Sequence, residues 1–180
     1  MAIITLNNNS LSGVTALPAG VVDANALASG VGGKVLQVVT ATDSTQRSTT
    51  STSFVTASNT AIVNITPSST SSKIYVVCST NMNCNDGNDS WLATIYRNST
   101  NLGNATNGLA GGNSVPGITS TFFGCTMTLL DSPNTTSSIS YQLYVRLHNA
   151  DADASQVNIN YAPAGLGAVP THITAYEIAG

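Results

Sequence analysis

Asp86 and Asp89 form the densest acidic group of the chain, in Asn83-Cys84-Asn85-Asp86-Gly87-Asn88-Asp89-Ser90. Clustered carboxylate and amide oxygens suit a hard cation, which makes this pair the calcium candidate. The segment lacks the ligand spacing of an EF-hand loop. Asp151 and Asp153 form a second pair. Two positioned carboxylates are also what glycosidic cleavage requires. Turn chemistry explains both pairs more simply, because Asp and Asn bond their own backbone and Gly87 supplies positive φ. The expectation is therefore no metal site, with Asp86 and Asp89 as the candidates to check, and no cofactor.

The rest of the catalytic inventory is thin. Glu177 is the single glutamate, and His148 and His172 are the two histidines. Nucleophilic catalysis requires a base beside the nucleophile. No G-x-S-x-G elbow occurs, and both histidines fall in strand patterns that place them toward solvent. The sequence therefore predicts no catalytic residues and no enzyme. Cys78, Cys84 and Cys125 are odd in number and lack C-x-x-C spacing, so they are neither a disulfide framework nor a zinc site. They are expected to be reduced and buried, the alternative being a Cys78–Cys84 or interchain bridge. Trp91, Tyr96, Tyr144, Tyr161 and Tyr176 have rings that can stack on sugars, although a core or a subunit interface uses the same rings. The N-x-S/T sequons at Asn8, Asn64, Asn88, Asn98, Asn104 and Asn134 are what this composition produces by chance.

That composition is unusual. Asp, Glu, Lys and Arg make up 7% of the 180 residues, against about 25% in ordinary soluble domains. The polar residues are instead 24 Thr, 22 Ser and 19 Asn. Hydroxyls and amides suit exposed strand faces, turns and contacts between identical copies. Five cationic residues and a net charge of −3 leave no basic patch for nucleic acid. The start, Met1-Ala2-Ile3-Ile4-Thr5, has neither the basic nor the apolar region of a secretory signal. No run approaches the ~20 apolar residues that span a bilayer. Synthesis and folding in a cytoplasm are expected, without membrane insertion and without glycosylation.

The elements that must position these residues read as strands. Residues 1–33 carry one charge, Asp23, and no clean period, so they are expected to be an N-terminal arm anchored on a partner. From Lys34 onward, Val35–Val39, Phe54–Ala57, Ala61–Ile65, Lys73–Cys78, Trp91–Arg97, Ile118–Leu130, Ser138–His148, Gln156–Tyr161 and His172–Ile178 have strand character. Lys73–Cys78 is almost wholly apolar and so belongs at the centre of a sheet. Gly124 marks a bulge or bend, and Asn98–Asn101 a turn. In Ser138–His148, Ile139, Tyr141, Leu143, Val145 and Leu147 share one face. About nine strands without an amphipathic helix predict an all-β fold: an antiparallel, jelly-roll-like β-sandwich over 34–180, preceded by the arm.

Several phrases resemble structural proteins of tailed bacteriophages, especially phages of marine and freshwater bacteria. They are Ile3-Ile4-Thr5-Leu6-Asn7-Asn8-Asn9-Ser10-Leu11, Gly32-Gly33-Lys34-Val35-Leu36-Gln37-Val38-Val39, and Ile173-Thr174-Ala175-Tyr176-Glu177-Ile178-Ala179-Gly180. Ile65-Thr66-Pro67-Ser68-Ser69-Thr70-Ser71-Ser72-Lys73-Ile74, followed by Ala93-Thr94-Ile95-Tyr96-Arg97, resembles fibre tip domains. The resemblance implies a non-enzymatic virion appendage that forms a homotrimer. It would dock on the major capsid or another virion protein through residues 1–33. The arm is short for a fibre shaft, which favours a capsid decoration (cement) protein or short head fibre. The alternative is a tail-fibre tip that recognises a host surface glycan.

Overall fold

The computed structural model describes residues 34–57, 61–85, 89–114, 121–148, 155–162 and 167–180. The expected arm, residues 1–33, lies outside the described residues, as do Asp86, Asp151 and Asp153. No described residue is helical. The strands are β1 (Val35–Asp43), β2 (Arg47–Thr49), β3 (Val55–Thr56), β4 (Ile62–Ile65), β5 (Lys73–Cys84) and β6 (Ser90–Arg97). They continue with β7 (Thr100–Asn101), β8 (Ala110–Asn113), β9 (Thr121–Asp131), β10 (Ile139–Leu147), β11 (Val157–Ile159) and β12 (Thr171–Ile178).

All pairings are antiparallel and build two sheets of four ranks each. In the first, β12 and β11 lie end to end along one edge of β5, and β9 runs along the other. Outside them, β1 pairs with β12 and β2 with β11. In the second, β10 is flanked on one edge by β3 and β4 and on the other by β6. The outer edge of β6 then carries β7 and β8. The sheets close over a core of Ile74, Val76, Cys78, Ile173 and Ala175 from the first and Ala93, Ile95, Tyr141, Leu143 and Val145 from the second. The fold is the expected antiparallel β-sandwich. It follows from alternation: β10 buries Ile139, Tyr141, Leu143, Val145 and Leu147 and half-exposes the residues between them.

Several local expectations need correction. The strand expected to end at Cys78 runs on to Cys84, because Asn81, Met82 and Asn83 complete ladders with β9 and β11. As expected, it is central. Gly124 is not a bulge; it pairs with Asn81 in unbroken register. Of the turn expected at Asn98–Asn101, only its first half turns, with Asn98 at φ 53°, while Thr100 and Asn101 form β7. The short strands β2, β7 and β8 have no counterpart in the sequence reading. Asp43 separates β1 from β2, its carboxylate accepting from Thr45 N at 3.0 Å and Arg47 Nε at 3.2 Å.

One set of buried polar groups satisfies itself. Where β11 gives way to β12, Thr80 and Thr171 hydroxyls meet at 2.6 Å, and Thr171 donates to Asn160 Oδ1 at 2.6 Å. Asn160 Nδ2 in turn donates to the Thr45 carbonyl at 2.9 Å. Such a chain replaces the water these groups lose.

Candidate functional site

The outer face of the second sheet holds a groove of about 390 Å³. Its floor is aromatic. Tyr96 on β6 and Tyr144 on β10 stand diagonally across the ladder, where Gln142 opposes Tyr96. Their rings stack with centroids 3.9 Å apart and planes 19° from parallel. One wall is the segment Thr52-Ser53-Phe54, held by the Ser51 hydroxyl, which donates to the Ser53 carbonyl at 2.7 Å and accepts from Ser53 N at 3.1 Å. The other is Ala105-Thr106, in a loop pinned by the Asn104 carboxamide oxygen, which accepts from Thr106 N and Asn107 N, each at 2.9 Å. Gly108 closes that loop against β6. Its φ is +68°, and a Cβ there would lie 2.3 Å from the Ala93 carbonyl oxygen, so no other residue fits without displacement.

Arg146 spans the groove. Its Nη1 donates to the Thr52 carbonyl at 2.8 Å, and Nε to the Thr106 carbonyl at 3.1 Å. Nη1 also reaches the Leu147 carbonyl at 3.3 Å, and Nη2 the Thr106 carbonyl. Its guanidinium carbon sits 5.3 Å from the centroid of the Phe54 ring, within the range of a cation–π contact.

The outer face of the first sheet is different. Residues Tyr75, Val77, Ser79 and Asn81 of β5 lie beside Leu130, Thr128, Thr126 and Gly124 of β9. On the other side stand His172, Thr174 and Tyr176 of β12, then Val38, Thr40 and Thr42 of β1. None of these is an Asp, Glu, Lys or Arg. Hydroxyls bond across the strands: Thr40 with Thr174 at 3.1 Å, Thr42 with His172 Nδ1 at 3.0 Å, and Thr126 to Ser79 at 3.3 Å. At one end the row Val38–Tyr176–Tyr75–Leu130 crosses all four ranks. Leu130 is 62% exposed, Val38 54% and the adjoining Val35 53%.

Two acids, the buried Glu177 and the half-buried Asp131, hold the sandwich together. Glu177 on β12 accepts from Ser68 N at 2.7 Å, Ser68 Oγ at 2.6 Å, Ser72 Oγ at 2.7 Å and Gln37 Nε2 at 2.6 Å. Burial opposes its ionisation, but the donors of Ser68, Gln37 and Ser72 outweigh that and pull the carboxyl from 4.5 down to about 2. Asp131 on β9 crosses to the second sheet, where it takes two bonds from Arg97 Nη1, at 2.8 and 2.7 Å, and one from Tyr141 Oη at 2.7 Å. Burial, followed by the bond to Asp131, drives the Tyr141 phenol far above its ordinary value.

The structure sorts the expected site residues. Asp89 is not an exposed turn acid. It is 1% exposed, and its backbone amide and carbonyl both bond Ser114. No group of three or more metal-binding side chains occurs among the described residues. The cysteines are free and buried, and burial raises Cys78 and Cys84 to about 12 and Cys125 to about 11. His148 and His172 are exposed, as expected for solvent-facing positions. Of the five candidate aromatics, Trp91 is in the core beside Phe123. Tyr161 packs on Phe122, and Tyr176 on Tyr75. Tyr96 lines the groove, with Tyr144 stacked against it. Sequence reasoning missed Phe54 and Arg146, which lie 92 positions apart and carry no motif. Among the described residues no helix is long and apolar enough to cross a membrane. No protein-family model matches this chain, and no curated protein is significantly similar to it.

Proposed function

We propose that this chain is a non-enzymatic structural subunit of a bacteriophage virion, a capsid decoration protein or short head fibre. It assembles as a homotrimer and attaches through residues 1–33. The observation that carries the reading is the outer face of the first sheet, on which Lys73, at the start of β5, is the one charged side chain contributed by the described positions of β1, β5, β9 and β12. Identical copies can approach there with little like-charge repulsion, and the row Val38–Tyr176–Tyr75–Leu130 offers apolar surface that a second copy removes from water. A three-fold axis beside this row brings three equivalents of it together. The rank order supports the reading too. Taken along the chain, successive ranks alternate between sheets except from β6 to β7 and β8, and the last is inserted between the first and third. That order supports a jelly-roll-like reading, and jelly rolls include viral capsid domains.

Light scattering tests the assembly. The expected mass is three times the 18.3 kDa of the chain, and the double variant Val38→Asp, Leu130→Asp should fall to one chain mass while keeping its β-sheet circular dichroism. A wild-type monomer at micromolar concentration removes the proposal. A label at Gly180 should decorate capsids; a label confined to tails would move the protein to the tail-fibre tip.

A further inference from the structure

Each of the other two arginines is neutralised by a carboxylate: Arg47 by Asp43 and Arg97 by Asp131. Arg146 is held differently. Its described partners are the carbonyl oxygens of Thr52, Thr106 and Leu147, which orient the guanidinium without cancelling its charge. A guanidinium has five N–H groups, and these bonds use four of them, so one hydrogen on Nη2 is uncommitted among the described residues. Among the described residues no acid lines the groove.

We infer that this groove binds an acidic saccharide, its anionic group paired with Arg146 and the apolar face of a ring resting on Tyr96. The side chains around the cation fit that chemistry. Thr52, Ser53 and Thr106 are exposed and carry hydroxyls or backbone groups that can exchange bonds with sugar hydroxyls. Tyr96 is braced by the stacked Tyr144, so the platform is rigid before a ligand arrives. Arg146 is likewise fixed, by Phe54 beneath it and by carbonyls on both walls. A site whose parts are already ordered loses less entropy on binding. The volume, about 390 Å³, lies in the range of small-ligand sites. A single cation in a chain of net charge −3 does not suit a long polyanion such as nucleic acid.

The test is calorimetric titration of the full chain with four probes. Two are acidic, a galacturonate oligomer and sialyllactose. Two are their neutral counterparts, the methyl-esterified oligomer and lactose. At least one acidic probe should bind about tenfold more tightly than its counterpart, the worth of one charge-assisted hydrogen bond, and added salt should narrow the gap. Arg146→Gln should abolish the preference. Because that change also removes wall contacts, Ala105→Trp provides a second arm. It fills the groove from an exposed position and should weaken binding about tenfold or more with an unchanged melting curve. Equal affinity for acidic and neutral probes, no binding of either acidic probe at millimolar concentration, or binding indifferent to Ala105→Trp would each overturn the inference.

Discussion

Replacing Glu177 by Gln tests how a carboxylate with no cationic partner among the described residues stabilises this sandwich. Four donors from Ser68, Ser72 and Gln37 converge on it, so the loop before β5 and the start of β1 are both tied to β12. Gln keeps the shape but loses the charge. It also places an NH2 group where a carboxylate oxygen accepted, opposite a donor. Gln37 Nε2 already donates to the Thr66 carbonyl at 2.7 Å, so it cannot turn without breaking that bond. Charge-assisted bonds contribute about 1.5–3 kcal/mol and neutral ones about half of that, and a buried donor left unpaired costs about 1–3 kcal/mol. These differences place the loss at about 3 kcal/mol. The pKa gives a second route to the magnitude. A carboxyl lowered from 4.5 to about 2 contributes about 3 kcal/mol at neutral pH before screening, and about 2 kcal/mol once water near the exposed Ser68 is allowed for.

The sign follows from the direction of the shift. The folded state holds the ionised form more tightly, so the contribution is complete above 4.5 and is lost as pH falls toward 2. Urea unfolding of wild type and Glu177→Gln should therefore differ by about 2–3 kcal/mol at neutral pH, and the gap should shrink as pH drops below 4.5. A gap under about 0.5 kcal/mol at neutral pH, or one of constant size down to about pH 2.5, refutes the reasoning.

Tyr141→Phe removes one of the bonds on Asp131 and leaves the bonds from Arg97, so the expected cost is about 1–2 kcal/mol, read as a shift of the urea midpoint without a change of slope; a neutral substitution would mean that the phenol contributes nothing to the contact between sheets. The three thiols, buried and raised to about 11 or 12, should resist a disulfide reagent at neutral pH in the folded protein and all react in denaturant; fast labelling of a native thiol would contradict their placement.

The sequence by itself determined the all-β class, the central position of Lys73–Cys78 and the inward set of β10, because alternation is local and each side chain reports its own face. It also indicated buried cysteines. It did not reveal β2, β7 or β8. Arg-Ser-Thr, Thr-Asn and Ala-Gly-Gly-Asn have little strand propensity, and they extend because β11 and β6 offer them unpaired edges. Nor did it show that Asp89 is buried, since Asn-Asp-Gly-Asn-Asp reads as an exposed turn whether or not Ser114 folds over it. The groove is the clearest case. Phe54, Tyr96, Thr106 and Arg146 come from four separate segments, and only the pairing of β10 with β6 and β3 brings those segments together. The same is true of Glu177, whose donors lie 105 to 140 positions away. Residue type sets which face a strand buries. Tertiary register decides which residues meet, because ladder pairing fixes neighbours that no short-range pattern encodes.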